Sequence, residues 1–444
     1  MKKILYLLTI TLAIQLIFNN CGHIEPLPTA SEAEQGDTSY VQIFPNWNKN
    51  KYNFNSPKDV LIGRDGYLFI ADSANHRVVV IDQAGNEILE DEYGNNFQRL
   101  SEINFDTFGK IQPIRLGQDS KMNLLMVDGG NRIFAWNQHY NNTGINGVAT
   151  KIAIRDDENN DIKYIHKIDS LIAYLNEGFS LLREETEFEN NEKLIDSLLA
   201  PHIFFNGNDK QNILLDTYGD PRNTKITDLV AFGKDYNNGI YILDKRYNRI
   251  VKLRYIPQNL LRLGDSSIVI NYKTIFDKVV TGQGTGAGFV MEPRSIDIDV
   301  SGNLYYTQTG GIYSCHGISA GTYRSIFIPG EDDILELDRF GSAWDVNFSK
   351  DGIIYIVDAK KNYVQTFNNN GKFLRNIGTI LSADSTSDSS AVRTKIGNIL
   401  DRPESIAVKD NIIYIADTGN DRIVRYQYVI LSEQNLEDYK NYQD

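Results

Sequence analysis

The chain has 444 residues, 41% of them hydrophobic and 11% aromatic, which is enough apolar material for one large core or two ordinary ones. Its formal net charge of −13 repels phosphate backbones and argues against nucleic acid as a partner. Two cysteines, Cys21 and Cys315, do not make a disulfide framework.

In chain order, Lys2 and Lys3 precede a mostly apolar run from Ile4 to Phe18, which is short for a bilayer span and reads as a targeting signal. Removing residues 1–20, with those two lysines, takes the charge from −13 to −15. The junction "IFNNCGH" resembles that of bacterial lipoproteins, which implies acylation of Cys21 and a membrane anchor. Asn20 departs from the small residue usual there, and ordinary secretion with cleavage near Ala30 is the alternative. Gly22 resembles the sorting signal for the outer membrane. Residues 21–38 are polar and acidic and read as a flexible tether.

From residue 56 one pattern recurs six times: an apolar strand, a Gly/Asp/Asn turn, a second strand ending in Asp, a polar turn, and a third strand. The copies span 56–82, 112–136, 226–253, 292–315, 342–367 and 402–427. No copy can bury both faces of its sheet alone, so neighbours must stack, and closing the stack into a ring protects the terminal copies. The expected fold is all-β, a six-bladed β-propeller over residues 39–430, with a polar tail at 431–444.

The second turn carries Asp72, Asn75 and Arg77 in the first copy and Asp417, Asn420 and Arg422 in the last. Between them come Asp128, Asn131 and Arg132, then Asp244, Asn248 and Arg249, then Asp358 and Asn362, while Thr307 stands at the Asp position of the fourth copy. This Asp-x-x-Asn-x-Arg signature resembles the NHL-repeat family, whose members are mostly interaction platforms. The aspartates and asparagines are expected to satisfy backbone donors of the turn and the arginines to brace it. His76 then reads as turn decoration rather than a catalyst.

Fourth strands are expected at 87–89, 151–154, 272–276, 323–328 and 372–377, and Ser39–Trp47 is expected to complete the sixth blade. About ninety residues separate the second and third copies; the apolar spacing of Ile168, Leu171, Ile172, Leu175, Phe179 and Leu182 predicts a helix over 167–184 within a helical insertion at about 146–225. That insertion, the Ser-rich connection before the sixth copy and the Asp-x-x-Asn-x-Arg turns gather on one face. By alignment Lys58, Ile114, Asp228, Arg294, Trp344 and Glu404 line the channel mouth there, and Lys58, Asp228, Arg294, Trp344 and Glu404 are the candidate ligand-binding residues.

Other chemistry is weaker. The glycines of "TGQGTGAGFVMEP" lack the following helix of a dinucleotide site, "DIDVSG" lacks the closing Glu of a calcium loop, and Asp157, Asn159 and Asp161 are the calcium alternative to a solvated acidic loop. No cofactor is expected. Six histidines are scattered, and no three of them converge on a blade position. The sequence therefore points to an exported, lipid-anchored binding module at the bacterial outer membrane, periplasmic or surface side, for a protein or a polar or carbohydrate ligand. The alternatives are a lactonase-like hydrolase or lyase with a metal in the channel, resting on Asp228, Arg294 and Glu404, and a structural subunit of an envelope assembly.

Overall fold

The computed structural model describes residues 37–90, 97–105, 109–120, 122–137, 148–165, 174, 177–182, 187–189, 202–209, 220–231, 239–263, 266–378 and 400–431. Residues 1–20 and Cys21 lie outside these. No helix among the described residues is long and apolar enough to cross a membrane.

The fold is all-β and antiparallel. A first strand, β1 (Asp37–Asn48), runs into a one-turn helix, α1 (Lys49–Tyr52). The first repeat gives β2 (Pro57–Ile62), β3 (Leu68–Asp72) and β4 (Arg77–Ile81), followed by a small hairpin of β5 (Asn104–Phe105) and β6 (Gly109–Lys110). The second gives β7 (Arg115–Gln118), β8 (Asn123–Val127) and β9 (Arg132–Asn137). Next come β10 (Val148–Asp156), β11 (Ile162–Ile165), β12 (Phe179–Leu181), β13 (Glu187–Glu189) and β14 (His202–Asn206). The third repeat is β15 (Ile226–Ala231), β16 (Gly239–Asp244), β17 (Arg249–Leu263) and β18 (Ser266–Thr281). The fourth is β19 (Pro293–Ile298), β20 (Leu304–Gln308) and β21 (Cys315–Ile318); the fifth is β22 (Ala343–Phe348), β23 (Ile354–Asp358), β24 (Tyr363–Phe367) and β25 (Phe373–Ile377). The sixth is β26 (Pro403–Lys409), β27 (Ile412–Asp417) and β28 (Arg422–Leu431).

Each repeat is its own sheet, in the orders β2-β3-β4, β7-β8-β9-β14, β15-β16-β17-β18, β19-β20-β21, β22-β23-β24-β25 and β26-β27-β28-β1. The first strands of these sheets adjoin in a closed cycle, β2 to β7, β15, β19, β22, β26 and back to β2. That arrangement is a β-propeller. Successive sheets bury apolar clusters between their faces. Phe69, Val80, Met126, Phe134 and Trp136 fill the space between the first and second repeats, and Trp47, Leu68, Ile70, Tyr414 and Ile423 that between the sixth and first. Each such fully buried side chain stabilises the ring by about 1.5–3 kcal/mol. The chain ends, described over 37–41 and 428–431, form a small separate unit in which the Tyr40 and Tyr428 rings lie 5.2 Å apart.

Four expectations need correction. Residues 87–89 and 323–328 are not strands: each makes one isolated bridge, Glu87 with Ile81 and Ser325 with Ile318, so among the described residues the first and fourth repeats have three strands. Residues 151–154 are not the fourth strand of the second repeat. They belong to β10, which pairs with β11, β12 and β13 in a sheet of its own, and the outer strand of the second repeat is β14. The described part of the insertion is mostly strand: Phe179–Leu181, inside the expected helix, pairs with Ile154–Asp156, because Phe179 and Leu181 flanking Ser180 satisfy a strand period as well as a helical one, while Tyr174 is helical and Pro221–Asn223 forms a short 3-10 turn. Most of the span of the expected helix, and "EKLIDSLLA", lie outside the described residues. Finally, Gln308 rather than Thr307 occupies the register position of Asp72, each pairing with the proline that opens its sheet, Pro293 and Pro57.

Candidate functional site

The aspartate that ends each second strand ties the sheet to its own opening. Asp72 accepts from Asn55 N–H at 2.7 Å, Asp417 from Asp401 N–H at 2.6 Å and Asp244 from Lys225 N–H at 3.1 Å. Asp358 accepts from Gly341 and Ser342 N–H, and Gln308 accepts from Met291 N–H at 2.9 Å in the same way. Arg77, Arg249 and Arg422 each donate Nε to the buried carboxylate, at 2.7, 2.8 and 2.6 Å. Asn75 and Asn420 also donate to it rather than accepting from the turn. Asp128 is half-buried and accepts from Gly130 N–H, and Asn131 donates to Arg222 O and Asn208 Oδ1; Arg132 opens β9.

Asn248 and Asn362 do not correspond to Asn75. They share the left-handed position of His76 and Asp421, with φ of 47°, 60°, 57° and 50° respectively. From there they reach the next repeat: Asn248 accepts from Glu292 N–H, Asn362 from Arg402 N–H and Asp421 from Ser56 N–H. His76 Nδ1 lies 3.1 Å from Ile111 O at the same kind of junction. These turns are links between sheets.

The opening strands carry a repeated β-bulge. The register shifts between Pro57 and Asp59, Ile226 and Asp228, Pro293 and Ser295, Ala343 and Asp345, and Pro403 and Ser405. The bulged residues are therefore Lys58, Thr227, Arg294, Trp344 and Glu404. A bulge re-aims a side chain and is common beside binding sites. Asp228 is out of this row, because the third copy aligns one residue later than its sequence suggests. It belongs with Asp59, Arg115, Ser295, Asp345 and Ser405, all at most 7% exposed. The signal for this second row was a polar residue two after the opening proline in most copies; the shifted third copy concealed it.

The buried row ties neighbouring strands together. Asp59 accepts from Leu116 N–H at 2.6 Å, Asp228 from Ile296 N–H at 2.9 Å and Asp345 from Ile406 N–H at 2.8 Å. Ser405 Oγ donates to Asp59 at 2.5 Å and accepts from Val60 N–H, and Ser295 Oγ donates to Asp345. Arg115 crosses the channel, donating Nη1 to Lys58 O at 2.7 Å and Nη2 to Glu404 O at 2.8 Å, with Nε 4.0 Å from Asp228 Oδ2. Burial raises the Asp59 carboxyl to about 6 and holds Asp228 well above the usual carboxylate range, outweighing Arg115.

Arg115 separates two regions of different character. On one side lies a cavity of about 130 Å³, lined by the buried row with Leu61, Gly117, Gln118, Val230, Asp297 and Asn347. Asp297 is pushed up to about 7 by burial, and it accepts from Asn347 Nδ2 at 3.0 Å. On the other side lies the half-exposed row of bulged residues. There the Arg294 guanidinium stacks on Trp344, 4.4 Å from the ring centroid, while its Nε donates to Thr309 Oγ1 at 3.4 Å. Burial lowers the Arg294 pKa, with Glu292 and Glu404 acting against the shift.

No group of three His, Cys, Asp or Glu among the described residues is placed to hold a metal ion. At Asp156–Asp161 the side chains serve the β10–β11 turn: Asp156 accepts from Glu158 and Asn159, and Asp157 from Ser180 Oγ. The glycine-rich loop at 282–290 folds on itself and leads into strand β19, not a helix.

No family model and no curated protein matches the chain. Solved structures do. The virginiamycin B lyase from Staphylococcus aureus is 11% identical, with 88% of this chain and 100% of that one covered at a TM-score of 0.43. A gluconolactonase from Xanthomonas campestris is 10% identical, with 89% and 91% covered at 0.42. An auxiliary nutrient binding protein from Bacteroides ovatus is 10% identical, with 88% and 77% covered at 0.47. Likeness at this level transfers neither a site nor an activity.

Proposed function

We propose that the chain is an exported, lipid-anchored, NHL-type six-bladed propeller at the bacterial cell envelope, acting as a non-catalytic module that binds a polar ligand at the channel mouth. The observation that carries this reading is the stack of Arg294 on Trp344, offered by two consecutive bulges of the opening strands. A bulge holds each side chain at the rim, and an arginine on an indole face is a ready-made polar and aromatic platform. The carboxylates deeper in the channel have another occupation. Asp59, Asp228 and Asp345 spend oxygens on backbone N–H groups of the next strand, so they close the ring rather than face a substrate. The lipoprotein-like junction at Cys21 supports the anchor.

The test is a binding screen of the full-length protein against neutral and acidic saccharides and peptides, with Trp344→Ala beside the parent. Binding that Trp344→Ala weakens about tenfold, with the ligand recovered unchanged, is expected. Turnover of the bound ligand would overturn the non-catalytic reading. Labelled palmitate fed to expressing cells should enter the parent and not Cys21→Ser.

A further inference from the structure

We infer that the channel mouth recognises a hydroxylated carboxylate of the sugar-acid type, the carboxylate seated on Arg294 and the hydroxyls on Glu404 and Lys58. This rests on the binding reading above and names its ligand class.

Within the cycle of opening strands β19, β22, β26 and β2 are consecutive, so their bulges place Arg294, Trp344, Glu404 and Lys58 on one arc of the rim. Arg115, from the second repeat, reaches the backbone oxygens of both Lys58 and Glu404, so those two residues converge on one guanidinium. The Arg294 side chain is fixed at two points, the Trp344 face and Thr309 Oγ1, and Thr309 Oγ1 in turn lies 3.3 Å from Glu292 Oε2. Among the described residues nothing takes its Nη1 or Nη2. A planar fork held this way presents two parallel N–H donors, the geometry that matches a carboxylate bidentately. Its ordering cost has largely been met by the stack.

A bare anion does not complete the arc. Glu292 and Glu404 stand beside the arginine, and they repel any anion seated there, a doubly charged phosphate or sulfate more than a single carboxylate, while accepting from hydroxyl donors. Lys58 adds a cation at the far end of the arc. A ligand with one carboxylate and several hydroxyls answers each group present.

Titration calorimetry of the full-length protein with galacturonate, glucuronate, galactose and inorganic phosphate tests the assignment. Both uronates should bind, galactose at least tenfold more weakly and phosphate not measurably. Arg294→Gln should weaken the uronates at least tenfold, and Arg294→Lys should not restore them, because an ammonium cannot fork. Galactose binding as tightly as galacturonate, and lost in Trp344→Ala, would overturn the carboxylate assignment while leaving the mouth as a binding site. Absence of uronate binding, or binding indifferent to Arg294→Gln in a variant with the parent's melting temperature, would overturn it outright.

Discussion

Asp417 is fully buried and accepts from Asp401 N–H, Asn420 and Arg422, so removing it breaks three hydrogen bonds at once, one of them to an arginine. Asp417→Ala should cost about 3 kcal/mol in urea unfolding, because it breaks a buried pair from one side. Asp128→Ala, at a half-buried carboxylate that accepts from Gly130 N–H, should cost about 1 kcal/mol. Equal losses would mean that the repeated aspartate is not the sheet's internal tie. The channel carboxyls set a pH dependence. Burial raises Asp59 to about 6 and Asp297 to about 7. A carboxyl whose pKa is higher folded than unfolded holds its proton more tightly in the fold. Its contribution is fully present below the unfolded pKa and is lost as the pH rises through 6 and 7. The thermal midpoint should therefore fall between about pH 5 and about pH 8, and less steeply in Asp297→Asn. A midpoint that rises over that interval would contradict the burial of these groups. Much of this was unreadable from residues alone. The turn aspartates announce themselves by repetition, but Gln308 does their work under a different name, and Asn248 and Asn362 look like Asn75 until the left-handed backbone shows them to be partners of His76.

At the scale of elements, β1 is the outer strand of the sheet β26-β27-β28-β1, so the sixth repeat is completed from the other end of the chain. Trp47, carried by β1, lies under the Arg425 guanidinium, 4.6 Å from it, and packs in the cluster between the sixth and first repeats. Deleting residues 39–47 should lower the melting temperature of the whole propeller in one cooperative transition. A truncated protein that melts like the parent would show that the ring does not depend on this strand. Alternation and turn chemistry made the three inner strands of every repeat legible. The outer strands were legible in part, because they pair on one side only and tolerate many compositions: the expected strands at 272–276, 372–377 and Ser39–Trp47 fall in β18, β25 and β1, whereas 87–89 and 323–328 make only isolated bridges. Lys151–Ile154 read as such a strand but pairs elsewhere, while His202–Asn206 fills the place.

Across the whole molecule, the closed cycle of opening strands places two polar rows one above the other, a buried one that binds the strands together and a half-exposed one at the rim. The sequence alignment put Lys58, Arg294, Trp344 and Glu404 in one row, which the bulges keep in equivalent positions, and slipped by one residue at Asp228, since nothing in a linear alignment reports a bulge. The chain has three tryptophans, and Trp47 and Trp136 are each 2% exposed in the core while Trp344 stands at the rim. Fluorine NMR of protein labelled with 5-fluorotryptophan therefore reads the mouth against two internal controls. On titration with galacturonate, the Trp344 resonance, assigned with Trp344→Phe, should shift while those of Trp47 and Trp136 stay in place. A titration that leaves Trp344 unmoved, or that moves all three together, would contradict a ligand site at the channel mouth.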